Sequence, residues 1–286
     1  MKPRSSLLAG AALALGLSLG AAGAQAAVTV IPQSALVAST GYYTNDLGVI
    51  SVTTGGGSSS NVGDPSGRND DGWNGPVSLG FNFTMFGVTY NSLYINNNGN
   101  VSFGNGISAF VPSGPTGASQ PIISPWFDDV DTRGALSGVV HLQENTPGQL
   151  VVTWDNVGYY NSGDNLLDSF QLVLRSDSFN VPVGEGQIGF FYGNMGWEQT
   201  GTSQVAAIGF GDGAGNGEVL DGSSNQTNLN TIVANHHIWF NQNLSVVPAG
   251  VPEPNAWAMM ILGFLGLGVA LRSRRRSDKA MDSLTA

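Results

Sequence analysis

Ile122-Ile123-Ser124-Pro125-Trp126-Phe127-Asp128-Asp129-Val130-Asp131-Thr132-Arg133 is the stretch on which the reading of this chain turns. An apolar pair and a Pro-aromatic step run straight into three aspartates, a threonine and an arginine. Asp128, Asp129 and Asp131 are spaced as acidic ligands of a hard cation such as Ca²⁺ could be, because such ions take several carboxylate and carbonyl oxygens. The same residues also suit a purely local role, in which Asp131 and Thr132 cap a turn and one aspartate pairs with Arg133. Both readings stay open on the sequence.

Outward from this stretch, short apolar or alternating runs recur between Gly, Asn, Asp and Pro, and no segment from Val28 to Val247 carries a persuasive 3.6-residue period. Strands are expected over Val77–Phe83, Ser92–Ile95, Asn100–Phe103, Val139–Glu144, Gln149–Trp154, Ser169–Ser176, Gly186–Tyr192, Gln204–Gly209 and His237–Asn241. Asn96-Asn97-Asn98-Gly99-Asn100 predicts a tight hairpin, since Asn and Gly tolerate positive φ, and Pro147-Gly148 predicts a second. The polar stretch Thr53–Gly75 reads as a mobile loop. Val28–Val52 is too short to bury a core alone and is expected to add an edge strand to the same domain. The fold class is therefore all-β, expected as an antiparallel β-sandwich-like domain.

Charge narrows the partners. From Ala27 to Gly250 the basic residues are Arg68, Arg133 and Arg175, set against seventeen acids, for a net charge of −14. Such a surface repels nucleic acid and anionic headgroups and favours divalent cations. The chain has no cysteine, which removes disulfides, thiolate metal sites and a Cys nucleophile.

Several pieces, in order, resemble the nidogen-like extracellular domain. The Ile122–Arg133 stretch is the most specific of them. Upstream, Leu79–Gly87 and Leu93–Phe103 look like lead-in strands; downstream, Gly138–His141, Leu150–Trp154, Phe170–Leu174, Gly189–Tyr192, Ala206–Gly213 and Ile238–Phe240 look like the strands that follow. The resemblance spans about Val77 to Phe240. It implies a β-rich adhesion or matrix module without catalysis. The cysteines and adjoining modules of animal relatives are missing, so a basement-membrane role does not carry over.

Both ends read as export signals. Lys2 and Arg4, an apolar run from Leu7 to Leu19 and Ala24-Gln25-Ala26 have the order of a secretory signal, with cleavage expected after Ala26. At the C terminus, Val251-Pro252-Glu253-Pro254 precedes an uncharged stretch, 256–271, and then Arg272, Arg274, Arg275 and Arg276. A sixteen-residue helix rises about 24 Å, short of a hydrocarbon core of roughly 30 Å, so the arginines would snorkel or the bilayer thin. The cluster is a stop that stays cytoplasmic. This arrangement closely resembles the PEP-CTERM sorting signal, which implies an exosortase-type processing enzyme as partner and cleavage near Pro252-Glu253-Pro254. The expected organisation is a signal peptide over 1–26, an N-terminal strand and loop over 27–76, a nidogen-like domain over 77–245 and a sorting segment over 246–286 containing a transmembrane helix.

No arrangement of catalytic residues stands out. His236 and His237 are adjacent and would face opposite sides of a strand, and no nucleophile elbow accompanies any histidine. The Gly209–Glu218 stretch has spaced glycines but lacks the Lys and Ser/Thr of a phosphate loop, and reads as a turn. Tyr159, Tyr160 and Trp197 are candidate ligand-contact rings, while Trp126, Trp154 and Trp239 read as core. The expectation is a non-enzymatic, exported cell-surface or matrix protein, an adhesion or biofilm-matrix component anchored at the membrane through its C-terminal helix. Two rivals remain. One is an exopolysaccharide-binding module, which requires Tyr159, Tyr160 and Trp197 to be exposed. The other is a glycoside hydrolase using Glu144, Glu185 or Glu198 with an aspartate.

Overall fold

The computed structural model describes residues 27–51, 66–110, 113–198 and 205–249, together with Leu262, Phe264, Leu265, Leu267 and Arg272. In chain order the strands are β1 (Val28–Ile31), β2 (Val37–Ala38), β3 (Val49–Ile50), β4 (Trp73–Met85), β5 (Val88–Asn96), β6 (Asn100–Ser102), β7 (Pro121–Phe127), β8 (Val140–Gln143), β9 (Gln149–Tyr159), β10 (Gly163–Arg175), β11 (Ile188–Met195), β12 (Ala207–Asp212), β13 (Gly217–Leu220) and β14 (His236–Phe240). One short helix, α1 (Leu229–Val233), precedes β14.

These strands form two seven-stranded sheets, ordered β1-β13-β12-β7-β6-β5-β4 and β2-β14-β11-β10-β9-β8-β3. Inward side chains of both sheets share one apolar cluster. Phe83, Leu93, Ile95, Ile123, Trp126 and Phe210 of the first sheet meet Leu150, Val152, Trp154, Phe170, Phe190 and Phe240 of the second. Trp154 stacks on Phe170 at 5.0 Å, and Phe190 on Phe210 at 5.3 Å. The interlocked rings make this a β-sandwich whose core holds most of the large buried side chains.

The central strands of the second sheet are buried on both faces, which is why Leu150–Val152 and Leu172–Leu174 read as unbroken apolar runs. Leu150, Val152, Leu172 and Leu174 point into the main core, whereas Val151, Val173, Phe191 and Trp239 form a second cluster on the outer face beneath Tyr43. Arg175 is fully buried there. It donates to Gln149 Oε1, the Gly186 carbonyl, Tyr43 Oη and Glu185, and lies 4.5 Å from the Trp239 ring centre. Such a charge is tolerated because each of its three nitrogens finds an acceptor, one of them a carboxylate.

Four expectations change. The segment 27–51 supplies three edge strands rather than one: β1 borders the first sheet, and β2 and β3 border the second. The β1–β13 pair is parallel, the exception among otherwise antiparallel ladders. The strand β13 was hidden inside a glycine-rich stretch that read only as a turn, and α1 is too short to display a period. The supposed loop 53–75 is in part a defined structure, because β4 begins at Trp73 and Asn69 and Asp70 are buried. Among the described residues no helix is long and apolar enough to cross a membrane, and most of the expected helix 256–271 lies outside them. The 1–26 signal, Val251–Pro254 and Arg274–Arg276 lie outside the described residues; within 256–271, Leu262, Phe264, Leu265 and Leu267 are described, as helical and exposed.

Both predicted hairpins are present, but the reason for the asparagines differs. In the β5–β6 turn Gly99 alone has positive φ, at +74°, and a Cβ on it would lie 1.7 Å from the Trp126 carbonyl oxygen. Gly99→Ala combines left-handed strain with overpacking and is expected to cost about 3 kcal/mol. Chemical denaturation of the variant would show this as a lowered midpoint with an unchanged m-value, and a midpoint equal to the parent's would refute the close packing of this turn.

Candidate functional site

Three segments meet around the Asn97 side chain: residues 66–72 leading into β4, the Asn97–Gly99 turn, and the acidic loop 128–133 after β7. Asn97 is fully buried. Its Nδ2 donates to the carbonyls of Val130 and Asn69, its backbone N–H donates to Gly72 O, and its own carbonyl accepts from Trp154 Nε1 at 3.0 Å. One residue of the first sheet therefore ties both loops to the core of the second.

The two loops also clasp each other directly. The Asn69 N–H donates to Thr132 Oγ1 at 2.7 Å, and the Thr132 N–H returns a bond to Asn69 O at 3.0 Å. Arg68 Nη1 donates to the carbonyls of Thr132 and Gly134, each at 2.6 Å. Arg133 holds Asp131 with two donors, Nε to Oδ1 at 2.8 Å and Nη2 to Oδ2 at 2.5 Å, while Nη2 also reaches Asp70 Oδ2 at 2.6 Å. Ser162 N–H completes Asp131 by donating to Oδ2 at 2.7 Å.

This geometry divides the acidic triplet. Asp131 takes the local role: it caps its turn through the Arg133 N–H and is saturated by the guanidinium. It is therefore withdrawn from any ligand set. Asp128 is buried, with Oδ1 accepting the Asp129 N–H and Oδ2 unpartnered. Of the three, Asp129 joins a cluster, and its companions are Asp70 and Asp71, with one carboxylate oxygen from each within 4.8 Å of the others. The sequence reading missed both companions because they lie some sixty residues upstream in a polar stretch. The available signal was a pair of adjacent acids, Asp70-Asp71, set in that stretch.

Crowding of carboxylates shows in their acidity. Burial, then the neighbouring charges of Asp131 and Asp71, push Asp70 up to about 6 despite the opposing pull of Arg133. Asp71 is raised as well, chiefly by burial. Asp128 and Asp168 are raised much further, again by burial first. The N–H groups of Trp197 and Gly196 pull Asp168 the other way, and the Asp128 charge adds to its rise.

The three candidate contact rings do not form one surface. Trp197 is 4% exposed and donates Nε1 to Val157 O, and its burial takes it out of any contact face. Tyr159 is half-buried, tilts against Trp197 at 5.7 Å and donates to Asn165 Oδ1. Tyr160, 52% exposed, is the ring that faces solvent, and its N–H anchors to Asp129 O at 3.1 Å. Of the glutamates considered for hydrolysis, Glu185 neutralises Arg175, Glu198 accepts from the Asn228 and Asn230 N–H groups at the start of α1, and Glu144 is exposed. Asp212 caps the β12–β13 turn by accepting from the N–H groups of Ala214 and Asn216, so Gly209–Glu218 is the end of β12, a turn and the start of β13. His236 and His237 are both half-buried, and His237 stacks on Phe191.

A family model described as NIDO related matches residues 37–248. Alpha-tectorin of Gallus gallus is 27% identical over 134 residues, and alpha-tectorin of Mus musculus 29% and of Homo sapiens 28% over the same length. In each case the match covers 38% of this chain and 6% of the relative, so the chain spans a small part of the curated relatives it matches. No solved structure matches.

Aspartates whose folded pKa is raised contribute stability that is fully present below the unfolded value, near 3.9, and lost as pH rises through the folded value. For Asp70 that window closes around pH 6. The metal-free chain is therefore expected to melt at a higher temperature at pH 5 than at pH 7.5. Asp168→Asn, which removes a fully buried carboxyl whose ionisation burial opposes, should raise the pH 7.5 melting temperature and flatten the profile. A calorimetric series in which the variant melts lower than the parent at pH 7.5 would show that the Asp168 carboxylate is compensated.

Proposed function

The chain belongs to the NIDO-related family, and from that premise we propose that it is a non-enzymatic, exported surface or matrix protein whose β-sandwich acts as an adhesion or biofilm-matrix module. The observation that carries the proposal is order along the chain. A family domain at 37–248 sits between a signal-like segment ending at Ala26 and the Val251-Pro252-Glu253-Pro254 sorting motif. Family membership, with the weak similarity to alpha-tectorin, is consistent with an extracellular role.

Local structure supports the processing scheme. Cleavage after Ala26 leaves β1 whole, because that strand starts at Val28 and the Ala27 N–H lies 2.7 Å from Asn216 Oδ1. The nascent N terminus thus falls on the parallel β1–β13 edge. The sandwich ends with Val246 bridged to Phe240, only a few residues before Val251. The sorting motif can then be reached by an exosortase-type enzyme without unfolding a strand. The apolar stretch 256–271 would hold the protein in the membrane until that step, with Arg272, Arg274, Arg275 and Arg276 on the cytoplasmic side.

Exopolysaccharide is the favoured partner class after matrix protein, and Tyr160 is the observation in its favour. A single exposed ring supplies a contact point rather than a platform, so any glycan contact would be small.

Fractionation of a host with and without an exosortase tests the reading. The mature chain is expected to begin at Ala27 by mass spectrometry and to leave the inner membrane only when the exosortase is present. Replacing Pro252, Glu253 and Pro254 with Ala should trap it there. Recovery of a cytoplasmic chain retaining its first 26 residues, or identical distributions for parent and variant, would overturn the proposal.

A further inference from the structure

We infer that Asp70, Asp71 and Asp129, with the side-chain oxygen of Asn98, form a binding site for one calcium ion. The three carboxylates converge from two chain segments, with one oxygen of each within 4.8 Å of the others. Arg133 is the guanidinium that contacts them, through Asp70 Oδ2, and it is already engaged twice by Asp131. The other nearby arginine, Arg68, spends Nη1 on two backbone carbonyls. The guanidinium that pairs with Asp70 is thus shared with a fourth carboxylate, Asp131.

A second observation points to a cation rather than to protons. Asp70 is 5% exposed and its Oδ1 has no hydrogen-bond donor, although its Oδ2 is ion-paired. Asn98 is fully buried and reaches the same cluster, with Nδ2 2.8 Å from Asp71 Oδ1, yet its Oδ1 also lacks a donor. Asn97 Oδ1, one residue away, is in the same condition. A buried acceptor without a donor is costly in any protein, and such acceptors beside three converging carboxylates are what a bound cation would satisfy.

The ligand chemistry selects the ion. All donors are carboxylate or amide oxygens, and the chain has no cysteine, which favours a hard cation. Carboxylates and amide carbonyls in an irregular array suit Ca²⁺, which accepts six to eight oxygens with loose geometry, better than Mg²⁺, which demands a near-ideal octahedron. Asp71 is half-buried, which leaves a way in for the ion and room for water ligands.

The test uses the full chain, purified in detergent and stripped with EGTA. Titration calorimetry with CaCl₂ should show one ion per chain, and calcium at a hundredfold excess over Kd should raise the melting temperature by roughly 5–10 °C. Asp71→Asn, at the least buried of the three acids, is expected to weaken binding at least tenfold while the circular dichroism spectrum stays that of the parent. Glu144→Gln, at an exposed acid elsewhere, should bind as the parent does. Asp129→Asn should repeat the loss; should it fail to fold, Asp71→Asn decides. Absence of heat and of a melting shift in the parent at millimolar calcium, equal affinity in Asp71→Asn, or equal affinity for Mg²⁺ and Ca²⁺ would each overturn the assignment.

Discussion

The Asn97 amide is the constraint on which the acidic loop depends. A β-sandwich can bury apolar faces without help, but a loop rich in Asp and Asn can enter the interior only if its polar groups are bonded. Asn97 bonds Val130, Asn69 and Gly72 and accepts from Trp154, so it links both loops to the second sheet. Removing its side chain would take the Asn97 donor from the Val130 carbonyl on one segment and one of several donors from the Asn69 carbonyl on the other, which keeps those of Thr132. The Arg133–Asp131 pair and the Thr132–Asn69 exchange then act on loops already brought within reach.

Much of the sandwich was legible because strand chemistry is local. Alternating or doubly buried apolar runs and turns at Gly99 and Gly148 announced most of the ladder, since burial on one or two faces leaves a direct mark on residue choice. What stayed hidden was set by pairing rather than by pattern. Val49-Ile50 and Val37-Ala38 are too short to show a period, and Gly217–Leu220 is a strand held between β12, antiparallel on one side, and Val28–Ile31, parallel on the other. The buried role of Asn96–Asn98 was hidden for another reason. Asparagine suits an exposed turn and a buried hydrogen-bond hub equally well, and its frequency in turns made the commoner use the natural reading.

The site was legible only in part. Proximity in sequence drew attention to Asp128, Asp129 and Asp131, but successive residues in an extended loop point in different directions, and the fold sends the three to different tasks. Asp131 serves Arg133, Asp128 turns inward beside Asp168, and Asp129 meets two acids from the distant 66–72 segment. The aromatic residues follow the same logic. Tyr159, Tyr160 and Trp197 were grouped by composition, yet the packing of β9 against β10 and the chain after β11 buries Trp197 and leaves Tyr160 outward.

The central claim is that Asn97 holds segments 66–72 and 128–133 as one cooperative unit with the sandwich. Native-state hydrogen exchange read by mass spectrometry on the full chain carrying Asn97→Ala tests it most directly. The account predicts that both segments lose protection together, including the Thr132 and Asp131 amides, while β10 and β11 keep theirs. Loss confined to the β5–β6 turn, with the acidic loop as protected as in the parent, would contradict it.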